Sequence, residues 1–354
     1  MSIKRTDINR LVRENIRQLT PYSSARGEFK GAASVFLDAN ENPFDTGYNR
    51  YPDPLQLSLK SKISQLWHVP VSSIFLGNGS DEPIDLLVRL FCEPGRDHII
   101  ITPPTYGMYR VAADIAGVEV KEIRLKSDYQ LAVNDILSQI NEYSKILFLC
   151  SPNNPTGNLL DREDMVQIVN QFPGIVVLDE AYIDFADTEG FLPVLSDFPN
   201  LVILQTFSKA WGLAAIRMGM AFSSKEITDF LNKIKSPYNL NILTLDFVSR
   251  QLDFVNEKKA AVDILKNERC FLIEQFKTFS FIHKINSSNA NFILIQVEDA
   301  DDLYLYLVSK GIIVRNRSNM PLCEGALRIT VGTPKENKLL LDTLKDWEKL
   351  KSRP

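Results

Sequence analysis

A lysine near the middle of the chain has neighbours that suit one kind of covalent catalysis. Lys209 follows the apolar run 201–207, which predicts a buried strand, and Ser208 and Arg217 stand on either side of it. A lysine in a dry, preorganised cleft forms a Schiff base with pyridoxal phosphate, and hydroxyl groups and an arginine bind that cofactor's phosphate. A lysine after a strand is more often solvated, so other segments have to decide between the two interpretations.

A rigid turn follows a second predicted strand. Residues 145–149 are apolar, and the next segment, 150–157, contains two prolines and ends in Gly157. The prolines would hold the amide of Asn154 in place to hydrogen-bond the phenolic oxygen of the cofactor. The alternative for this segment is an ordinary loop between a strand and a helix.

An acidic residue ends a third apolar strand. Asp179 terminates the run 175–178, which places its carboxylate at the carboxyl edge of the sheet, where open α/β sheets bind ligands. A carboxylate there would pair with the protonated pyridine nitrogen and make the ring an electron sink. Tyr182 would reach the phenolic oxygen alongside Asn154. The alternative role for Asp179 is that of a helix N-cap.

A glycine-rich turn precedes a predicted helix. Gly77 and Gly79 lead into Pro83, which suits the first turn of a helix, and backbone amides at a helix N-terminus bind phosphate. Together with the groups around the lysine, this turn predicts a phosphate-binding cup of two amides, two hydroxyls and a guanidinium. The cup residues are Ser80, Asp81, Thr206, Ser208 and Arg217.

Three motifs occur in one order along the chain and resemble those of the fold-type I aminotransferases. They are Asn-Pro-Thr-Gly at 154–157, Asp-Glu-Ala-Tyr at 179–182 and Ser-Lys-x-x-Gly-Leu-Ala-x-x-Arg at 208–217. Shorter segments narrow the resemblance to the histidinol-phosphate aminotransferases of class II. These segments are 19–22, 38–43, 51–54, 104–109, 311–315 and 327–332.

The resemblance implies a cofactor, a reaction and a set of roles. The cofactor is pyridoxal 5′-phosphate. The reaction is transamination of L-histidinol phosphate with 2-oxoglutarate, which gives imidazole acetol phosphate and glutamate in histidine biosynthesis. The implied catalytic residues are Lys209 as Schiff-base lysine and proton shuttle, Asp179 and Tyr182.

Further residues receive binding roles from the same resemblance. Tyr106 would stack on the cofactor ring. Tyr51 would reach the phosphate cup of the partner subunit, which makes a homodimer with shared active sites necessary. The residues that would meet the substrate are Tyr22, Asn40, Arg315 and Arg328.

Two of these, the arginines, suit an anionic substrate on chemical grounds as well. A pair of guanidinium groups facing a cleft is a planar, permanently charged clamp for phosphate or carboxylate. Arg328 stands inside an apolar run, where an unpaired charge is costly. We expect Arg315 and Arg328 to bind the substrate phosphate, and the carboxylate of glutamate in the other half-reaction. For Arg317 we expect a surface position.

Strand and helix patterns alternate through most of the chain, which predicts an α/β fold. We expect an N-terminal arm and linker at 1–44, a large cofactor-binding domain at 45–265 with a mostly parallel sheet flanked by helices, and a small α+β domain at 266–354. Helical spacing of apolar residues predicts one helix over 8–19. In the small domain the predicted elements are a strand at 291–295, a helix at 303–308, a strand pair at 312–314 and 327–331, and a last helix with Leu340, Leu344 and Trp347 on one face.

Composition excludes several classes of function. The 354 residues carry a net charge of −4, whereas nucleic-acid binding needs a basic face. No run approaches the roughly 20 apolar residues of a membrane span, and the first residues lack the apolar core of a signal peptide. Four well-separated cysteines and three histidines predict neither a metal site nor histidine catalysis. We expect reduced thiols in a cytoplasmic protein that acts on small molecules.

Three other functions remain open at this point. An aromatic amino-acid aminotransferase would use the same cup and the same arginines. A lyase similar to threonine-phosphate decarboxylase would share the phosphate clamp but release carbon dioxide. A cofactor-binding transcription regulator would carry an added basic DNA-binding module, and we expect none, because the resemblance begins near the start of the chain.

Overall fold

Seven strands form the larger of two sheets. The computed structural model describes residues 7–22 and 33–352, and the sheet has the order β1-β7-β6-β5-β4-β2-β3. Four neighbouring pairs are parallel, namely β2–β3, β2–β4, β4–β5 and β5–β6. Strand β7 is antiparallel to both of its neighbours, β1 and β6. This confirms the predicted mostly parallel sheet. The strands are β1 Ile74–Asn78, β2 His98–Ile101, β3 Glu119–Glu122, β4 Ser144–Cys150, β5 Ile175–Asp179, β6 Leu201–Thr206 and β7 Met218–Ser223.

Helices cover both faces of this sheet. Central strands are buried on both sides, so alternate residues enter two different apolar layers. Leu147, Val176 and Ile203 pack in the layer that includes α3, α6, α7 and α9, and Phe148 and Val177 pack in the layer that includes α4, α5 and α8. These helices are α3 Leu57–Trp67, α4 Asp81–Phe91, α5 Met108–Ile115, α6 Val133–Ser138, α7 Arg162–Gln171, α8 Lys225–Ile234 and α9 Ile242–Gln251.

The N-terminal arm forms two short helices, α1 Ile8–Leu11 and α2 Glu14–Gln18, so the prediction of one helix over 8–19 is wrong. The chain extends at Val12, and the backbone N–H of Arg13 donates to the carbonyl of Leu90 at 3.1 Å instead of continuing the helix. Ile8 and Val12 are buried in the layer of α4. These two helices therefore pack on their own subunit.

A smaller antiparallel sheet with the order β10-β11-β9-β8 follows. Its strands are β8 Ile282–Ile285, β9 Phe292–Val297, β10 Arg315–Asn316 and β11 Ala326–Thr330, and its helices are α10 Val255–Phe276, α11 Ala300–Ser309 and α12 Pro334–Lys351. The strand predicted at 312–314 is displaced, since pairing begins only at Arg315. The predicted face of the last helix is correct, because its three residues are buried. Helix α10 continues past residue 265, where we predicted the boundary between the two domains. That boundary stays a prediction.

The two faces of the small sheet have different surroundings. Ile293, Ile295 and Ile329 pack with the helices α10, α11 and α12. The opposite face carries Arg328. Its Nη1 donates a 2.5 Å hydrogen bond to Oδ1 of Asn154, which lies just beyond the end of β4. The small sheet therefore presents one strand to the carboxyl edge of the large sheet. No helix among the described residues is long and apolar enough to cross a membrane.

Candidate active site

A cavity of about 240 Å³ lies at the carboxyl ends of β4, β5 and β6. Residues from both sheets line it, and they come from segments that are far apart in sequence. Ten of the predicted cofactor-binding residues and one predicted substrate-binding residue share this cavity. They are Ser80, Asp81, Tyr106, Asn154, Asp179, Tyr182, Thr206, Ser208, Lys209, Arg217 and Arg328.

Lys209 lies in the tight turn that follows β6. The turn is closed by hydrogen bonds from the backbone N–H of Gly212 to the carbonyl of Lys209 and from Leu213 to Phe207, both at 3.0 Å. Burial lowers the pKa of the Lys209 ammonium, and the positive charge of Arg328 lowers it further. The Nζ atom is 5.5 Å from the centre of the Tyr182 ring. A lysine in these surroundings loses its proton more readily than a solvated one, which nucleophilic chemistry requires.

Asp179 ends β5 with its side chain buried in the cavity wall. Burial raises the pKa of its carboxyl, and hydrogen bonds act against that rise. The hydroxyl of Tyr109 donates to Oδ2 at 2.7 Å, and the backbone N–H of Ala181 donates to Oδ1 at 3.0 Å. No regular helix begins at Asp179, so the N-cap alternative does not hold. The carboxylate is instead fixed at the floor of the cavity.

Tyr109 is a site residue that sequence reasoning missed. Its ring is buried and stacks on Phe148 with ring centres 4.6 Å apart, and its hydroxyl holds Asp179. It belongs to helix α5, about one turn after Tyr106. Tyr106 precedes that helix, so no local pattern in the sequence linked Tyr109 to Asp179.

The phosphate cup is built where β1 meets α4. Gly79 has φ +68°, and a Cβ atom there would lie 2.6 Å from Nη2 of Arg217. The backbone N–H of Gly79 donates to the carbonyl of Arg217 at 2.9 Å, and Oγ1 of Thr206 donates to Oγ of Ser208 at 3.0 Å. Two hydroxyls, a guanidinium and the first amides of a helix thus surround a space that only a glycine leaves open. This cradle fits a phosphate group.

Asp81 lies beside the cup and orders two of its neighbours. Its Oδ2 is 3.4 Å from Nη2 of Arg217, and its Oδ1 accepts a hydrogen bond from the hydroxyl of Tyr106 at 3.0 Å. Since a carboxylate repels phosphate, the backbone N–H of Asp81 is the group suited to bind it, and the side chain positions Arg217 and Tyr106.

Asn154 and Tyr182 face the opposite part of the cavity. Arg328 donates to Oδ1 of Asn154, which leaves the Nδ2 amide group of Asn154 to donate into the cavity. Burial raises the pKa of Tyr182, so its phenol is protonated at neutral pH. Two hydrogen-bond donors therefore line this part of the cavity, and their predicted role toward the phenolic oxygen stays a prediction.

Two of the three arginines of the small sheet are placed differently from our expectation. Arg328 is half-buried and lines the cavity, whereas Arg315 is exposed and lies outside the lining. Arg317, expected at the surface, is half-buried and lines the cavity. Strand alternation explains the position of Arg317, which shares the face of the sheet that carries Arg328. Arg315 lies on the same face, directly opposite Arg328, but its side chain is exposed.

Three other predicted site residues lie away from this cavity in the single chain. Tyr22 is 73% exposed. Asn40 and Tyr51 line a separate groove, where Tyr51 stacks on Tyr238 with ring centres 4.4 Å apart. Their predicted roles stay predictions. The described residues contain no group of three or more His, Cys, Asp or Glu that could hold a metal ion.

Comparison with known proteins agrees with this geometry. Residues 27–344 match the family model of aminotransferase class I and II. The histidinol-phosphate aminotransferase of Cytophaga hutchinsonii is 51% identical over 344 residues, which cover 96% of this chain and 99% of that protein. The crystal structure of the Clostridium acetobutylicum histidinol-phosphate aminotransferase superposes with a TM-score of 0.79 at 26% identity, covering 86% of this chain and 92% of that one. The Sinorhizobium meliloti histidinol-phosphate aminotransferase was solved in complex with pyridoxal-5′-phosphate. It also superposes with a TM-score of 0.79, at 22% identity, and the match covers 86% of this chain and 84% of that one.

Proposed function

The chain belongs to the class I and II aminotransferases, and from that premise we propose that it transfers the amino group of L-histidinol phosphate to 2-oxoglutarate. The products are imidazole acetol phosphate and glutamate. The family supports pyridoxal 5′-phosphate as the cofactor, as the sequence predicted. The observation that carries the proposal is the position of Lys209, in one cavity with a phosphate cup and with a second group of cations.

The cofactor provides the electron sink, and the chain provides its orientation. When bound, pyridoxal 5′-phosphate supplies an aldehyde that exchanges between amines and a pyridinium ring that withdraws electrons from the carbon bearing the amine. Asp179 would pair with the ring nitrogen, Asn154 and Tyr182 would donate to the phenolic oxygen, and Tyr106 would cover the ring. The cup residues hold the phosphate, so the ring is fixed at both ends.

Lys209 has two roles in this proposal. Its Nζ amine would hold the cofactor through the aldehyde carbon, and as a free amine it would serve as the base that takes and returns the Cα proton of the substrate. Both roles need an amine without a proton, which burial and the charge of Arg328 favour. Both half-reactions use the same site, so the expected kinetics are of the ping-pong type.

We propose a homodimer in which Tyr51 completes the cup of the partner subunit. Tyr51 is 50% exposed and lies outside the cavity of its own chain. The segment around it is rich in exposed apolar side chains, which single subunits rarely leave in water. These are Val35, Leu37, Phe44, Tyr48, Leu55 and Leu57. Tyr22 and Asn40, from the same arm and linker, would then meet substrate in the assembled site.

We also propose the cytoplasm as the compartment of this enzyme. Cys92, Cys150 and Cys323 are free, buried thiols, and burial raises the pKa of each. Cys270 is also free but exposed, and an exposed unpaired thiol suits a reducing compartment.

Steady-state kinetics with two amino donors tests the proposed substrate. The purified holoenzyme is assayed with L-histidinol phosphate and with L-phenylalanine, each with 2-oxoglutarate. We expect kcat/KM for histidinol phosphate to exceed that for phenylalanine by about two orders of magnitude, since a charge-assisted clamp is left unsatisfied by a smaller anion. A preference for phenylalanine would indicate an aromatic aminotransferase. Release of carbon dioxide from a phosphorylated amino acid without any oxo-acid would indicate a lyase.

A further inference from the structure

One acidic residue of the Asp-Glu-Ala-Tyr motif has no part in the proposed reaction. Glu180 follows Asp179 directly, and its backbone N–H continues the pairing with β6 by donating to the carbonyl of Leu204 at 2.8 Å. Its side chain is buried but does not line the cofactor cavity. Burial raises the pKa of this carboxyl to about 7. A buried carboxyl group is costly unless partners hold it, so its contacts indicate what it does.

Both oxygens of the Glu180 carboxylate accept hydrogen bonds. Oε1 accepts from the backbone N–H of Phe191 at 2.7 Å, and Oε2 accepts from Nε2 of Gln205 at 3.1 Å. Oε1 of Gln205 in turn accepts from the indole N–H of Trp67 at 2.9 Å. A backbone N–H and an indole N–H can only donate. The side chains therefore form a hydrogen-bond relay with one direction, from Trp67 through Gln205 to Glu180, which an ionised carboxylate completes.

A protonated carboxyl group does not fit this relay. Its O–H is a donor, and it would face either the N–H of Phe191 or the amide NH2 group of Gln205, which are donors as well. If Gln205 turned over to accept the proton, its NH2 group would point at the indole N–H of Trp67. Two donors would then stand face to face without an acceptor, which is unfavourable in a buried site. The charge of Glu180 therefore decides whether Trp67 has a partner.

The backbone beside Phe191 is shaped around the carboxylate. Gly190 has φ +66°, and a Cβ atom there would collide with Oε1 of Glu180. Arg162 donates to the carbonyl of Gly190 at 2.8 Å, and its guanidinium lies 4.3 Å from the centre of the Phe191 ring. The charge of Arg162 lowers the pKa of Glu180, and the charge of Asp179 raises it. The groove on the side of Gln205 carries charges of both signs, from Asp184, Glu189, Lys258, Lys259, Asp263 and Lys266.

The other end of the relay contacts the turn that carries Lys209. Trp67 stacks on Trp211 with ring centres 6.1 Å apart, and it meets the edge of Phe207 at the same distance. Trp211 also packs on Phe207, with ring centres 5.5 Å apart. Phe207 and Trp211 stand two residues before and two residues after Lys209 in the chain. A Trp67 ring that is held by its indole N–H thus fixes the aromatic residues on both sides of the lysine.

We propose that Glu180 is a positioning residue for Lys209. Its carboxylate sets the direction of the relay to Trp67, and Trp67 supports the turn from which Lys209 extends. This inference rests on the proposed function, because it assigns Glu180 to the support of the amine that moves the proton. The relay is complete while Glu180 is ionised and is lost as the carboxyl group takes up a proton on acidification.

Replacement of Glu180 in the holoenzyme tests this assignment. Glu180→Gln imitates the protonated carboxyl group at every pH. We expect its kcat with histidinol phosphate to be about tenfold below that of the wild type at about pH 8, the range for one charge-assisted hydrogen bond. The ratio should approach one near pH 6, because the wild-type carboxyl group is then protonated too. Glu189→Gln is the matched control, since it removes an exposed carboxylate of the same loop, and its profile should equal that of the wild type.

A second substitution separates the relay from a general loss of stability. Trp67→Phe removes the indole donor, so Gln205 can turn over without leaving two donors face to face. In the Trp67→Phe background, Glu180→Gln should lower kcat less than about threefold, so the two effects are not additive. Folding damage at Glu180 alone would instead lower kcat by the same factor in both backgrounds.

Two measurements need no turnover. The ¹⁵N-detected indole N–H signal of Trp67, assigned by its loss in Trp67→Phe, should shift with a midpoint near pH 7 in the wild type and stay fixed in Glu180→Gln. The rate at which the cofactor-free protein captures pyridoxal 5′-phosphate on Lys209, measured by borohydride labelling, should fall about tenfold in Glu180→Gln at about pH 8.

The inference is overturned if kcat and its pH profile in Glu180→Gln equal those of the wild type. It is also overturned if the loss is equally large in the Trp67→Phe background. If the wild type does not turn over histidinol phosphate, but the Trp67 signal and the labelling of Lys209 respond to Glu180→Gln as described, the proposed function fails and the positioning role of Glu180 stands.

Discussion

The hydroxyl of Tyr109 donates a 2.7 Å hydrogen bond to Oδ2 of Asp179, and both side chains are buried. Burial alone would favour a protonated Asp179, and this bond helps to keep the carboxylate ionised. An ionised carboxylate is what a protonated pyridine nitrogen needs. Tyr109 therefore acts on the cofactor through Asp179 and is a positioning residue.

Tyr109→Phe should make the enzyme more sensitive to acid. The hydrogen bond lowers the pKa of Asp179, so its loss raises that pKa, and the ionised form is then lost at a higher pH as the solution is acidified. We expect kcat/KM to fall about tenfold on the acidic side of the profile and less at alkaline pH. Tyr106→Phe is the matched comparison, since that hydroxyl bonds to Asp81 instead. An unshifted acidic limb in Tyr109→Phe would argue against this role.

Gly79→Ala should weaken cofactor binding specifically. A Cβ atom at this position would lie 2.6 Å from Nη2 of Arg217 and would push the guanidinium out of the phosphate cup. Loss of that contact predicts a dissociation constant about ten- to a hundredfold higher, measured by absorbance titration of the cofactor-free protein. Gly311→Ala is the control, because Gly311 also has a positive φ, +76°, but nothing within 4 Å of its Cβ position. Equal cofactor affinity in both variants would contradict the structure of the cup.

Arg328→Ala should impair both half-reactions. Its guanidinium bonds to Asn154 and lies over the ring of Phe292, but its buried Nε has no hydrogen-bond partner, so we expect it to bind histidinol phosphate and glutamate in turn. Removal of a buried charge partner costs about 2–5 kcal/mol, so kcat/KM should fall at least thirtyfold for each donor. A loss confined to one donor, or to neither, would refute a shared clamp.

Hybrid dimers test whether Tyr51 serves the partner subunit. Tyr51→Ala and Lys209→Ala should each be nearly inactive alone. If Tyr51 acts across the interface, a mixed dimer regains one intact site, and random mixing restores about a quarter of the wild-type rate. If Tyr51 acts within its own subunit, every site in the mixture keeps a defect and no activity returns.

The sequence was sufficient to predict the large sheet and the residues that meet at its carboxyl edge, because both depend on local signals. Asp179, Asn154 and Lys209 each follow an apolar strand, and parallel strands bring their carboxyl ends to one edge. Strand positions alone thus predicted that these side chains would meet. Their roles still require the experiments above.

The remaining features depend on tertiary contacts that no local pattern encodes. The helix expected over 8–19 breaks because Arg13 finds a backbone partner in α4. Arg317 looked like a surface residue because only the register of β10 against β11 shows which face it shares. Tyr109 was missed because its partner Asp179 is 70 residues away in sequence.

Borohydride reduction of the loaded enzyme tests the central claim most directly. Reduction fixes the bond between a lysine Nζ and the cofactor's aldehyde carbon, and mass spectrometry of the digested protein then locates the label. Lys60 and Lys235 are the informative competitors, because burial lowers the pKa of each to about 8. We predict a single pyridoxyl label on Lys209. A label on Lys60 or Lys235 instead, or none at all, would contradict the account.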